Sequence, residues 1–161
     1  MKRLIVLVLA LVCILSLIGC NKGQPEYEEP NFTEMQTATG NTYSDFDGIS
    51  IQASGIYIYP DKTAIDITWK NETAFSVMYG ASYLIERLEN GEWVSCSLNA
   101  NEFPAIAYEL PAKELENNSY ILTGMYEVNK PGTYRFLSTC IVQTGQEQPT
   151  KCSVWAEFII E

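Results

Sequence analysis

The sequence predicts an all-β fold, an antiparallel β-sandwich of about seven to nine strands. Three observations carry this expectation. From Gly48 onward, apolar and polar residues alternate with a period of two in short runs. Turn-forming residues break these runs at a spacing of roughly ten residues. No segment sustains helical periodicity beyond a turn or two, "PAKELENN" at residues 111–118 being ambiguous.

Taken in order, "ISIQA" and "IYIYP" open the strand region, and "TAIDITWKN" follows with Ile65, Ile67 and Trp69 on one face and Asp66 and Thr68 on the other. That pattern is a half-buried strand. "SYLIERLENGEWVSCSL" places Asn90-Gly91 between two strand-like segments, a hairpin signal because both turn positions require positive φ. "FPAIAYEL" and "NNSYILTGMYEV" are further strand candidates, and "KPGTYRFLSTCIVQ" and "KCSVWAEFII" close the chain. The last two can be registered. Cys140 and Cys152 are symmetric about Gln146 in the turn-like "TGQEQPT", so a hairpin folded there sets them opposite each other. Alternation puts Cys140 with Tyr134, Phe136 and Val142, and Cys152 with Val154, Ala156, Phe158 and Ile160, on faces that look like core. Either a cross-strand disulfide or a packed pair of thiols follows.

Ahead of this region the chain begins Met1-Lys2-Arg3, followed by an apolar run from Leu4 to Ile18 interrupted by Ser16. A cationic start and a short apolar middle are the layout of a secretory signal. A bilayer core of roughly 30 Å asks for about 20 helical residues, so the run is marginal as a permanent span. Its end, Leu17-Ile18-Gly19-Cys20, resembles the lipobox of bacterial lipoproteins. The resemblance implies a diacylglyceryl group on the Cys20 thiol, cleavage before Cys20, and a mature chain held to the membrane by lipid. Residues 1–19 are then a leader. Residues 20–47, containing "GQPEYEEPNFTEMQTATGNTYSDFD", read as a lipidated N-terminus and flexible acidic tether. Residues 48–161 form the domain.

The chain has 10 basic and 20 acidic residues; without Lys2 and Arg3 of the leader, 8 remain against 20, a net charge of −12. That argues against nucleic acid and against direct contact with anionic headgroups, both of which need cationic surface. Histidine is absent, which removes the commonest general base and metal ligand. The body cysteines Cys96, Cys140 and Cys152 form no Cys-x-x-Cys pair and make a poor zinc site. With Cys140 and Cys152 paired, Cys96 is left over as a small buried apolar residue.

The ordered set "DITWKNET", "YGASYLIERLENGEWV", "IAYELPA" and "KPGTYRFL" resembles a bacterial immunoglobulin-like domain of secreted and lipid-anchored proteins, chiefly Gram-positive, over about Gly48 to Glu161. The resemblance implies an immunoglobulin-like sandwich with no catalytic residues to transfer. In such folds a tyrosine opening a late strand hydrogen-bonds back to the chain, and Tyr134 after Pro131-Gly132 is the candidate.

Other motifs weigh towards structure. Asp45-Phe46-Asp47-Gly48 echoes the start of a calcium loop but lacks the downstream bidentate Glu. Asn31, Asn71 and Asn117 head Asn-x-Ser/Thr triplets that read as turns in a bacterial chain. Trp69 is expected in the core, and Trp155, on the face of Ser153 and Glu157, is the candidate exposed binding aromatic. No "GxSxG", "HExxH" or phosphate-cradling loop is present, so no catalytic residue, metal or cofactor is expected. The resulting expectation is a lipid-anchored, extracytoplasmic, non-catalytic binding or spacer domain whose partner is a protein or a cell-wall polymer. The alternative is an inhibitor or immunity-type module that blocks an extracellular enzyme through a loop such as "SLNANEFPA". Cys20→Ala should leave the chain uncleaved and without lipid label, read by gel mobility and labelled-palmitate incorporation; unchanged mobility and labelling would overturn the lipoprotein reading.

Overall fold

The computed structural model describes residues 34–38, 40–99, 103–128 and 130–161. The leader, Cys20 and the Asn31 triplet lie outside the described residues. Among the described residues, eleven strands form two antiparallel sheets. They are β1 (Glu34–Gln36), β2 (Thr42–Ser44), β3 (Ile49–Ile58), β4 (Thr63–Asn71), β5 (Val77–Gly80), β6 (Leu84–Glu89), β7 (Glu92–Ser95), β8 (Ala107–Leu110), β9 (Leu115–Ile121), β10 (Gly132–Val142) and β11 (Thr150–Ile160). The first sheet has the order β1-β3-β4-β9. The second runs β2-β11-β10, with β5 and β6 both on the far side of β10, β8 beyond β5 and β7 beyond β6.

The chain builds a sandwich because each long strand has one apolar face. Ile65, Ile67 and Trp69 of β4, Tyr134 and Phe136 of β10, and Val154, Ala156 and Phe158 of β11 are buried between the sheets. In β3 the apolar residues change phase, from Ile49, Ile51 and Ala53 to Ile56. The register shifts between Ala53 and Gly55, and this bulge at Ser54 lets both halves of the strand face the core. "ISIQA" and "IYIYP" are therefore one strand. Asn90 and Gly91 both take positive φ, 52° and 87°, and close the β6–β7 hairpin as expected.

Two boundaries differ from expectation. Within the stretch read as tether, β1 pairs with β3 and β2 with β11, so the chain crosses from one sheet to the other before residue 48. Gly40 permits the crossing: a Cβ there would stand 2.5 Å from that of Glu157. Strands of three residues carry too few positions to show a period of two. The ambiguous "PAKELENN" is not helical. Lys113 takes a φ of 67°, and β9 follows, pairing with β4 from Leu115 onward.

Two polar ties hold the framework. The Tyr134 hydroxyl donates to the Lys130 carbonyl at 2.6 Å, the tyrosine corner expected at the start of this strand. Asn71, only 1% exposed, joins three segments. Its amide contacts the carbonyls of Phe75 at 2.8 Å, Leu110 at 3.2 Å and Pro111 at 2.9 Å. Its oxygen accepts from the backbone N–H and hydroxyl of Thr73 at 3.0 and 2.8 Å. Removing one partner from such a buried set strands the others without water, at about 1–3 kcal/mol for a buried group. Asn71→Ala should therefore lower unfolding free energy by about 2–4 kcal/mol, measured by urea denaturation. A loss below about 0.5 kcal/mol, the range of ordinary surface changes, would contradict the role.

Candidate functional site

The site grows out of an interruption in the second sheet. β5 pairs with residues 140–142 of β10 and β6 with residues 134–137. The two strands are thus one line, broken where residues 80–83 face only Ser138 and Thr139 of β10. The surplus residues bulge away from the sheet. Ser138 bridges the break by donating from its hydroxyl to the Ser82 carbonyl at 3.3 Å. The edge line is broken beside it, β7 pairing with β6 and β8 with β5.

On the outer face at this break, register places four apolar side chains in a row. Tyr43 of β2 pairs with Trp155 of β11, Trp155 with Leu137 of β10, and Leu137 with Leu84 of β6. Tyr43 and Leu84 are 50% and 56% exposed, values that on a row of neighbours make a continuous patch rather than scattered residues. The row opens into a groove of about 500 Å³ whose walls include Leu84, Leu98, Phe103, Leu137 and Trp155, within the size range of ligand pockets. Its polar lining is hydroxylic, from Ser82, Ser138, Thr139 and Ser153. Tyr83 and Phe103, packed edge to face at 5.0 Å, separate this groove from a second hollow of about 350 Å³ bordered by Tyr108, Tyr120 and Ile121.

Beside the row lies an ion pair between two tryptophans. Arg135 meets Glu86 at 2.5 Å, both side chains less than 20% exposed, while its guanidinium lies 4.5 Å from the centre of the Trp93 ring and 5.6 Å from that of Trp155. The pair cancels charge at the groove edge and stiffens Trp155, which also stacks on Tyr43 at 5.8 Å.

The residues singled out from sequence fall as follows. Trp155 is half-buried and lines the groove. Trp69 is fully buried and stacks on Tyr79 at 4.2 Å. Cys140 and Cys152 are directly opposed in register and buried, with free thiols. Cys96 is half-buried against the core, and burial raises its thiol pKa. The Asp45 carboxylate accepts from the Ser153 N–H at 2.7 Å, so it fastens β2 to β11. Asn71 is consumed by the ties described above, and Asn117 accepts from the Thr68 hydroxyl at 2.5 Å. Sequence reasoning missed Tyr43, Leu84, Leu98 and Leu137. For Leu137 a signal existed: alternation sets it with Arg135 and Thr139, opposite Phe136 and Ser138.

The bacterial Ig-like domain family model matches residues 46–153. Among curated proteins none matches the chain. A match over most of the length, together with two antiparallel sheets and a tyrosine corner at Tyr134, places the chain in the bacterial Ig-like domain family.

Proposed function

We propose that the chain is a lipid-anchored extracytoplasmic protein whose immunoglobulin-like domain is non-catalytic and binds a protein partner through the outer-face groove. The observation that carries this reading is the registered row Tyr43, Trp155, Leu137 and Leu84 leading into the groove. A half-buried aromatic beside aliphatic walls suits an apolar side chain of a partner. A sugar polymer asks for many oriented donors and acceptors, whereas the exposed lining here is mostly apolar, aliphatic and aromatic together. With a net charge of −12 after loss of the leader, the domain favours a partner segment in which basic residues flank the apolar one. The lipid on Cys20 supplies the address: two or three acyl chains, at about 0.8 kcal/mol per buried CH₂, hold a protein durably at a bilayer.

One observation favours an inhibitor as the second reading. Leu98 and Phe103 belong to the "SLNANEFPA" segment and line the groove, so the face that binds would include the loop suited to blocking an enzyme. Both readings place the contact at the same residues.

Leu84→Ser combined with Trp155→Ala should weaken partner binding at least tenfold, read as recovery of a crosslinked protein from intact cells and then as affinity for that purified partner. The single Leu84→Ser change should leave stability within about 0.5 kcal/mol, as for other exposed positions. Undiminished binding by the folded double variant would overturn the groove assignment. Binding only to purified wall polymer would move the partner to the other class.

A further inference from the structure

We propose that Cys140 and Cys152 constitute a disulfide site, closed by exchange with a disulfide-bearing oxidant outside the cytoplasm, and that the bond clamps the floor of the outer-face groove. The proposal rests on the extracytoplasmic reading for its oxidant but on geometry for its chemistry. The two residues are Cα partners in the β10–β11 ladder. Directly opposed residues of an antiparallel pair have Cα atoms about 4.5 or 5.5 Å apart, and both separations lie within the range a disulfide spans, about 4.4–6.8 Å. Both side chains point to the core side, where Cys140 is 2% and Cys152 1% exposed. One residue out of register would have put them on opposite faces.

The pair also sits where a bond acts on the groove. Leu137, Ser138 and Thr139 precede Cys140, and Ser153, Val154 and Trp155 follow Cys152; all six line the groove. On the other side of the pair only Ile141 with Lys151 and Val142 with Thr150 continue the ladder before the exposed turn around Gln146. A covalent link at Cys140–Cys152 therefore fixes the two strands at the point where the groove floor begins.

The two thiols are not equivalent. Hydrogen bonds from Cys140 and from the Ser44 hydroxyl, which lies 3.6 Å from the Cys152 sulfur, hold the Cys152 pKa down. The same contact between thiols, with burial, pushes Cys140 up. Cys152 is thus the first to lose its proton, and the thiolate is the attacking form. Its sulfur attacks one sulfur of the oxidant's disulfide, breaking that bond and releasing one oxidant thiolate. Cys140 then loses its proton and attacks the Cys152 sulfur, expelling the second oxidant thiolate. Two protein thiols are oxidised, one disulfide is reduced to two thiols, and both protons pass to solvent or to those thiolates. Ser44 belongs to β2, a strand of three residues at the sheet edge, and local opening of this strand uncovers Cys152.

The test uses the full chain, purified reduced and then incubated with oxidised glutathione. Peptide mass spectrometry should find Cys140 linked to Cys152 with Cys96 free. Oxidation should raise Tm by about 10 °C, the scale of a short closed loop in a chain of this size, and should slow amide exchange at residues 137–139 and 153–155 at least tenfold. Neither Cys140→Ser nor Cys152→Ser should show the Tm rise. Mass spectrometry of the unaltered chain decides the matter even where a serine variant folds poorly. Failure to link these two cysteines, or linkage through Cys96, would overturn the site; linkage without slower exchange would overturn the clamp. A second arm traps thiols in chain recovered from exporting cells beside a form lacking residues 1–19. One free body thiol in the exported pool supports closure in the cell, and three would overturn it. A chain found wholly in the cytoplasm would instead defeat the compartment reading, the purified-protein result still judging the site.

Discussion

Everything in the second sheet depends on the pairing of β10 with β11. From Gly132 opposite Ile160 to Val142 opposite Thr150, the two strands stay in register without a shift. Because a strand alternates faces, that one alignment settles two surfaces at once. Inward it stacks Tyr134 on Phe158 at 5.6 Å and supplies much of the core; outward it sets Leu137 beside Trp155 and Arg135 beside Glu157. A slip of one residue would exchange the two surfaces, burying Arg135 and exposing Phe136, a cost large enough to make the register unambiguous. The tyrosine corner acts at the start of the same pair, where the Tyr134 hydroxyl bonds the Lys130 carbonyl.

The contrast between β10 and its other neighbours explains where a groove can form. Along β11 the ladder is continuous, whereas the line of β5 and β6 carries more residues than the stretch of β10 it faces. The surplus has to leave the plane of the sheet, and the backbone groups released there need new partners. Ser138 serves the Ser82 carbonyl, and the Tyr126 hydroxyl donates to the Tyr83 carbonyl. Tyr83 itself stays buried, donating to the Ile121 carbonyl at 2.7 Å, so the core is sealed behind the break. The break therefore creates a concavity on the outside without opening the inside.

Much of this was legible from residue order. The period of two in "TAIDITWKN", the Asn90-Gly91 turn and the symmetry of Cys140 and Cys152 about Gln146 each encode structure within a few neighbouring positions, and each is found in the fold as written. The short β1 and β2 were not legible, because three residues cannot display a period. The groove was not legible for a different reason. Its walls come from residues 82–84, 98, 103, 137–139 and 153–155, and only pairing between distant strands brings them together. Asn71 lies between these cases: its Asn-x-Thr triplet was read as a turn, but the reach of its amide to Leu110 and Pro111 depends on β8.

The separation of faces bears on what the domain is for. A sandwich is stabilised by what it encloses, and here Trp69, Phe136 and Phe158 lie inside at 0% exposure. The outer face of the first sheet joins polar pairs such as Thr68 with Asn117 and Ser119 with Asp66, with Leu115 and Ile121 exposed at either end of β9. On the second sheet about half of Tyr43 and Leu84 is exposed next to Trp155 and Leu137, with Leu98 of the neighbouring loop on the same groove, at a solvation cost of roughly 25 cal/mol for each Å² of apolar surface left in water. Folding gains nothing from that exposure. A partner that covers these residues recovers the lost term, and because they lie on a floor braced by β10 and β11, little ordering remains to be done on binding. Substitutions on this face can therefore alter recognition while leaving the enclosed core, and so the fold, intact.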